Sequence, residues 1–138
     1  MPRTPPPGPP RYGSGRPLPD RPEPWDVVLT SVATFRLSRL LTKAPVTSPL
    51  RAPFTRYVAP QGPAELHEEV QSEDGRHAVG ELATCPFCMS VWVASTLTAG
   101  QLLWPRETRT AMGVLAALAG ADTLQLAYSA LMERTAGE

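Results

Sequence analysis

The chain has little cysteine, no net charge and few aromatic residues. Two cysteines in 138 residues cannot build a disulfide framework. Thirteen basic and thirteen acidic residues balance to a formal charge of +0, so the total carries no footprint of nucleic-acid binding. The first residues lack the apolar run of a cleavable signal peptide. No P-loop, dinucleotide fingerprint or nucleophile–base–acid set can be traced, and no catalytic residue is nominated. The length suits one domain.

Proline, by contrast, is abundant, with 17 residues. In residues 1–24, Pro5, Pro6, Pro7, Pro9 and Pro10 stand among Arg3, Arg11, Arg16 and Arg21. Proline at this density removes donors and forbids helix, which predicts a disordered or polyproline II tail. Such a tail could also offer a PxxP segment to a protein partner.

The charges are segregated. Residues 27–57 carry Arg36, Arg39, Lys43, Arg51 and Arg56 and no acid. Residues 64–81 carry Glu65, Glu68, Glu69, Glu73, Asp74 and Glu81 against Arg76. The two blocks could pair within the chain, or the basic block could face anionic lipid.

Residues 25–138 read as a helical domain. The first helix is expected over 25–43, with Asp26 in its first turn and Arg36, Arg39 and Lys43 along one stripe. Arginines so far inside make it a poor independent membrane span. It reads instead as an interfacial helix anchored by Trp25, or as a helix packed in a bundle. Prolines break residues 44–63, so 44–81 is expected to be a loop, with a short helix around 65–71 and a turn at Asp74-Gly75.

Two apolar runs follow, at 82–104 and 110–133, joined by a short polar turn at residues 105–109. The first has no charge after Glu81, and Asp122 is the one charged side chain of the second until Glu133. Each approaches the ~20 residues needed to cross a bilayer, and Trp104 sits where an aromatic belt would be. The runs predict a helical hairpin, in a membrane or in a soluble core. Their uniform apolarity and the chain's small size favour the membrane. Gly113, Ala117 and Gly120 lie at spacings that let helices approach closely, within the chain or between copies. The overall expectation is an all-α membrane protein: one amphipathic or interfacial helix plus a two-helix transmembrane hairpin. With two spans, the arginine distribution puts both termini on the cytoplasmic side of the cell membrane.

Three groups of residues could carry chemistry. Cys85-Pro86-Phe87-Cys88 puts Pro86 at the first helical position, Cys85 at the N-cap and Cys88 one turn on, at the positive end of the helix dipole. Glu81 before it and Trp92 after it could support the pair. The thiols read as redox partners, as metal ligands or as packing residues. Tetrahedral zinc needs four ligands, which His77, Glu81 or a second subunit would have to complete, so no cofactor is assigned. An ionised Asp122 inside an apolar run needs a partner, and Arg36 or Arg39 is the obvious one; the alternative is a proton- or ion-carrying group.

Together these residues resemble the small bacterial and phage membrane proteins grouped as domain of unknown function 1360. The resemblance rests on Thr34-Phe35-Arg36-Leu37-Ser38-Arg39-Leu40, on Arg51-Ala52-Pro53-Phe54, and on Glu81, Cys85, Pro86, Cys88 and Trp92. It covers about residues 25–132 and excludes the tail. It implies an integral membrane protein with no assigned activity.

Overall fold

A computed structural model of the chain describes residues 11–12, 16–17, 21–62, 65–70 and 76–137. In the tail, β1 (Arg11–Tyr12) pairs antiparallel with β2 (Arg16–Pro17). The rest of residues 1–20, expected to be disordered, and the expected Asp74-Gly75 turn lie outside the described residues. The main body is mostly helical. It runs α1 (Pro24–Lys43), a 3-10 turn (Pro45–Thr47), α2 (Ser48–Arg51), β3 (Thr55–Gly62), β4 (Glu65–Val70), α3 (Arg76–Thr84), α4 (Pro86–Leu103) and α5 (Pro105–Ala136).

Proline starts each long helix. Pro24, Pro86 and Pro105 occupy first-turn positions, where the missing N–H costs nothing. Pro86 also holds Cys85 extended, at φ −97° and ψ 107°. The apolar run over 82–104 is therefore not one helix. Its first residues belong to α3, and the axes of His77–Thr84 and Pro86–Leu103 differ by 82°. The polar turn expected at 105–109 is helical as well: α5 begins at Pro105 directly after Trp104, with Glu107 in its first turn.

Residues 44–81 hold more structure than a loop. The short helix expected around 65–71 is strand β4, antiparallel to β3, with Thr55 opposite Val70 and Tyr57 opposite Glu68. Pro60 keeps β3 out of helix, and the register shifts beside it, as proline in a strand requires. Gly62 closes the strand at φ 151°, a backbone region open to glycine.

Helices α1, α4 and α5 form the bundle. Ala33, Val93, Leu97 and Met112 make its core, flanked by Leu29, Leu37, Leu41, Met89 and Leu115. Val93 and Leu97 precede the Trp104 turn and Met112 and Leu115 follow it, so α5 doubles back along α4. At this corner Gly100 faces Thr108, and a Cβ on Gly100 would lie 2.8 Å from the Thr108 hydroxyl. Along α1 the partners on α5 come in rising order. Asp26 meets Arg109, Thr30 meets Met112 and Arg36 meets Asp122. Helix α1 therefore runs parallel to α5 and opposite to α4, inside the bundle rather than beside it.

The C-terminus of α1 is clamped by Arg51, whose side chain is 3% exposed. Its Nη1 donates to the Leu41 carbonyl at 2.6 Å and to Thr47 Oγ1 at 2.7 Å. Its Nη2 donates to the Ala44 carbonyl at 3.2 Å, and its Nε to Glu68 Oε2 at 2.6 Å. Thr47 Oγ1 bonds the Leu40 carbonyl. The Leu40 and Leu41 carbonyls are among those that a helix end leaves without partners. Glu68 also accepts from Ser48 Oγ at 2.6 Å and Thr55 Oγ1 at 3.2 Å. One buried pair thus joins α1, the 3-10 turn, α2, β3 and β4.

Burial alone would raise the Glu68 carboxyl, but the bonds from Arg51, Ser48 and Thr55 and the Arg51 charge outweigh it and lower its pKa. A carboxyl lowered in the fold stabilises it above the unfolded value of about 4.3. That contribution is lost as pH falls through the lower folded value. Arg51→Met leaves a buried carboxylate without its cation and should cost about 3–5 kcal/mol, seen as a lower melting temperature of the purified protein. Glu68→Gln should remove part of the acid destabilisation in a pH series of melts. An unchanged melt for Arg51→Met would refute the clamp.

Candidate functional site

The first candidate is the bend between α3 and α4. Cys85 caps α4: its Sγ accepts the Cys88 N–H at 3.3 Å, and its carbonyl accepts the Met89 N–H at 3.0 Å. Both thiols are free, Cys85 half-buried and Cys88 exposed. Trp92, one turn on, is exposed and projects from the bundle. The Cys85 N–H bonds the Glu81 carbonyl at 3.0 Å, while the Glu81 carboxylate lies 3.3 Å from His77. Glu81 therefore supports the turn through its backbone. Among the described residues no three of His, Cys, Asp and Glu gather where a metal ion could sit. Tetrahedral zinc on Cys85 and Cys88 would draw further ligands from elsewhere.

The bend is held against the strand pair. A Cβ on Gly80 would come within 2.5 Å of the Val70 side chain and 3.3 Å of the Phe54 carbonyl, so any larger residue there would force Val70 or α3 to shift. The thiols thus stand at the edge of a built platform.

The second candidate is the ladder of charges along α1. Asp26 Oδ1 accepts from Arg109 Nη2 at 2.6 Å. Arg36 Nη1 lies 2.8 Å from Asp122 Oδ2. Arg39 bonds Glu65 Oε1 through Nε at 2.8 Å and packs over the Phe35 ring at 5.7 Å. The structure brings Asp122 to Arg36, while Arg39 goes to β4. Within the chain, the basic block and the acidic block meet at Arg39–Glu65 and Arg51–Glu68. Arg36 Nε, Thr34 Oγ1 and Gln101 Nε2 are buried without a hydrogen-bond partner.

Beside this ladder an open groove of about 610 Å³ runs between α1 and α4, with Thr30, Thr34 and Ser38 on one wall and Ser90, Thr98 and Gln101 on the other. Gly113 and Gly120 have open space where a Cβ would stand, and Ala117 is exposed. Close helix approach inside the chain is made by Gly100 instead.

Sequence reasoning missed the hub formed by Arg51 and Glu68, and the parts played by Gly80 and Gly100. The Arg51-Ala52-Pro53-Phe54 motif was a signal for the first. Its proline ends α2 and turns the chain so that Thr55 opens β3 beside Glu68. The glycines gave no signal, because each answers to a neighbour distant along the chain or across a turn.

These features define a class: a small protein built on a three-helix bundle, whose basic first helix is locked by acids from a strand pair and from its last helix, with a cysteine-capped bend below. The chain belongs to the family described as "Protein of unknown function (DUF1360)", whose model matches residues 29–128. The match takes in Arg36, Arg51, the cysteine turn and Asp122, and omits the tail. The chain is 33% identical over 97 residues to the sporulation protein YjcA of Bacillus subtilis (strain 168), covering 68% of this chain and 81% of that protein. No solved structure matches.

If Arg36 and Asp122 act as a pair, Arg36→Leu and Asp122→Leu should each destabilise, and the double variant should lose less than the sum. A double-mutant cycle of melts should show coupling of about 1 kcal/mol. Strict additivity would mean the contact carries no energy.

Proposed function

We propose that this chain is a small integral protein of the cell membrane, a non-enzymatic anchor or assembly component. One observation carries the reading. An 18-residue stretch of α5 has a mean hydropathy of 1.3, and none of it is buried in the fold. The core helix of a soluble protein would hide such a surface against its neighbours. Val114, Leu118, Leu124, Leu126 and Leu131 instead point outward, and Val91, Trp92, Leu102 and Leu103 do so on α4. An apolar surface of this extent marks contact with lipid or with another protein. The α4–α5 hairpin supplies the anchor. The open face at Gly113, Ala117 and Gly120 suits a second copy, and the Pro-rich tail suits a protein partner. With α4 and α5 as the only spans, both termini would share the cytoplasmic face. The relative's name adds the process, sporulation, in which such a component would act.

A second reading, a thiol- or metal-dependent membrane protein, is favoured by the exposed Cys85/Cys88 turn. Replacing both by Ser should leave membrane insertion intact under either reading, and should abolish bound metal or thiol-dependent activity under the second alone.

Membranes from expressing cells should keep the protein through an alkaline carbonate wash and release it to detergent. Recovery in the wash or in the soluble fraction would refute the membrane reading and point to a soluble helical adaptor.

A further inference from the structure

We propose that α1 is itself a full membrane span, so that the chain crosses three times and its two termini lie on opposite faces. This rests on the membrane reading of α4 and α5, and four observations carry it further.

The first is direction. The rising series of contacts from Asp26–Arg109 through Thr30–Met112 to Arg36–Asp122 lays α1 parallel to α5 over residues 26–36. If α5 crosses the bilayer, a helix held beside it at three successive levels crosses with it. The second is length. Helix α1 has 20 residues, about 30 Å at 1.5 Å per residue, which matches the hydrocarbon core.

The third is charge. Arg36 and Arg39 make α1 unfit to cross alone, but in the bundle Asp122 faces Arg36 and Glu65 faces Arg39. Asp26, near the other end, meets Arg109. Each ion pair inside the span joins α1 to another segment, as charges in lipid require. The fourth is the aromatic belt. Trp25 and Trp104, 68% and 62% exposed, stand at the same end of the bundle, one opening α1 and the other joining α4 to α5. Tyr128, 65% exposed, lies 24 residues past Trp104 on α5, about 35 Å along its axis.

The strand pair, α2 and α3 then cover one face of the membrane together with the C-terminal end of α5. The Pro-rich tail and the α4–α5 corner with Arg106 and Arg109 occupy the other.

The test uses the full chain with Cys85→Ser and Cys88→Ser, carrying one new cysteine on either side of α1: Ser14→Cys in the tail or Glu69→Cys at an exposed position of β4. Intact spheroplasts are treated with a membrane-impermeant maleimide, and a second sample is labelled after permeabilisation. One of the two positions should label in intact spheroplasts and the other only after permeabilisation, in whichever orientation. Both labelled, or both protected, with the protein retained through a carbonate wash, would overturn the three-span topology and leave the membrane reading standing. Release by carbonate would overturn both.

Discussion

The fold depends on one buried ion pair. Arg51 and Glu68 are far apart in sequence, and both are almost wholly removed from water. Burying a guanidinium is costly unless its donors find acceptors. Here Glu68, Thr47 and the Leu41 and Ala44 carbonyls take them. The same atoms close the end of α1 and join the first residue of β3 to the middle of β4. Removing Arg51 strands a buried carboxylate and frees a helix end at once, and removing Glu68 strands a buried guanidinium. The pair therefore acts as a junction: it sets where the connector leaves α1 and where the strand pair must sit.

From that junction the rest of the arrangement follows. With β4 in place, Glu65 reaches Arg39 and Val70 closes on Gly80, which brings α3 under the bundle. Cys85 then turns the chain into α4, and a single residue, Trp104, turns it back into α5. The hydrophobic core that results is small, four residues with a ring of partly buried neighbours. Much apolar surface is left on the outside, while Ala33, Leu29, Leu37 and Leu41 pack α1 into the core and ion pairs tie it to α5 and β4. Apolar surface left outside on this scale marks contact with lipid or with another protein.

Much of this was legible in the residues. The helical character and the cysteine cap rest on local rules, since Pro86 fixes Cys85 and the apolar runs have helical length. The need of Asp122 for a basic partner follows from its isolation in an apolar run. The pairing of the two charge blocks was open, since the same residues suit lipid phosphates. Less legible were the elements whose partners lie far off in sequence. Residues 65–70 have a composition that suits helix, and become a strand because β3 runs beside them. Gly80 and Gly100 look like helix weaknesses until Val70 and Thr108 are seen against them.

The sequence by itself determined that the chain is mostly helical, where proline breaks it, which segments are apolar and which charges lack a neighbour, because these depend on residues a few positions apart. The tertiary structure alone decided that α1 runs with α5, that Arg36 takes Asp122 while Arg39 takes Glu65, and that Arg51 closes α1. Each is a choice among several chemically equal partners. Charge and hydropathy make such partners interchangeable on paper, and packing geometry leaves one within reach.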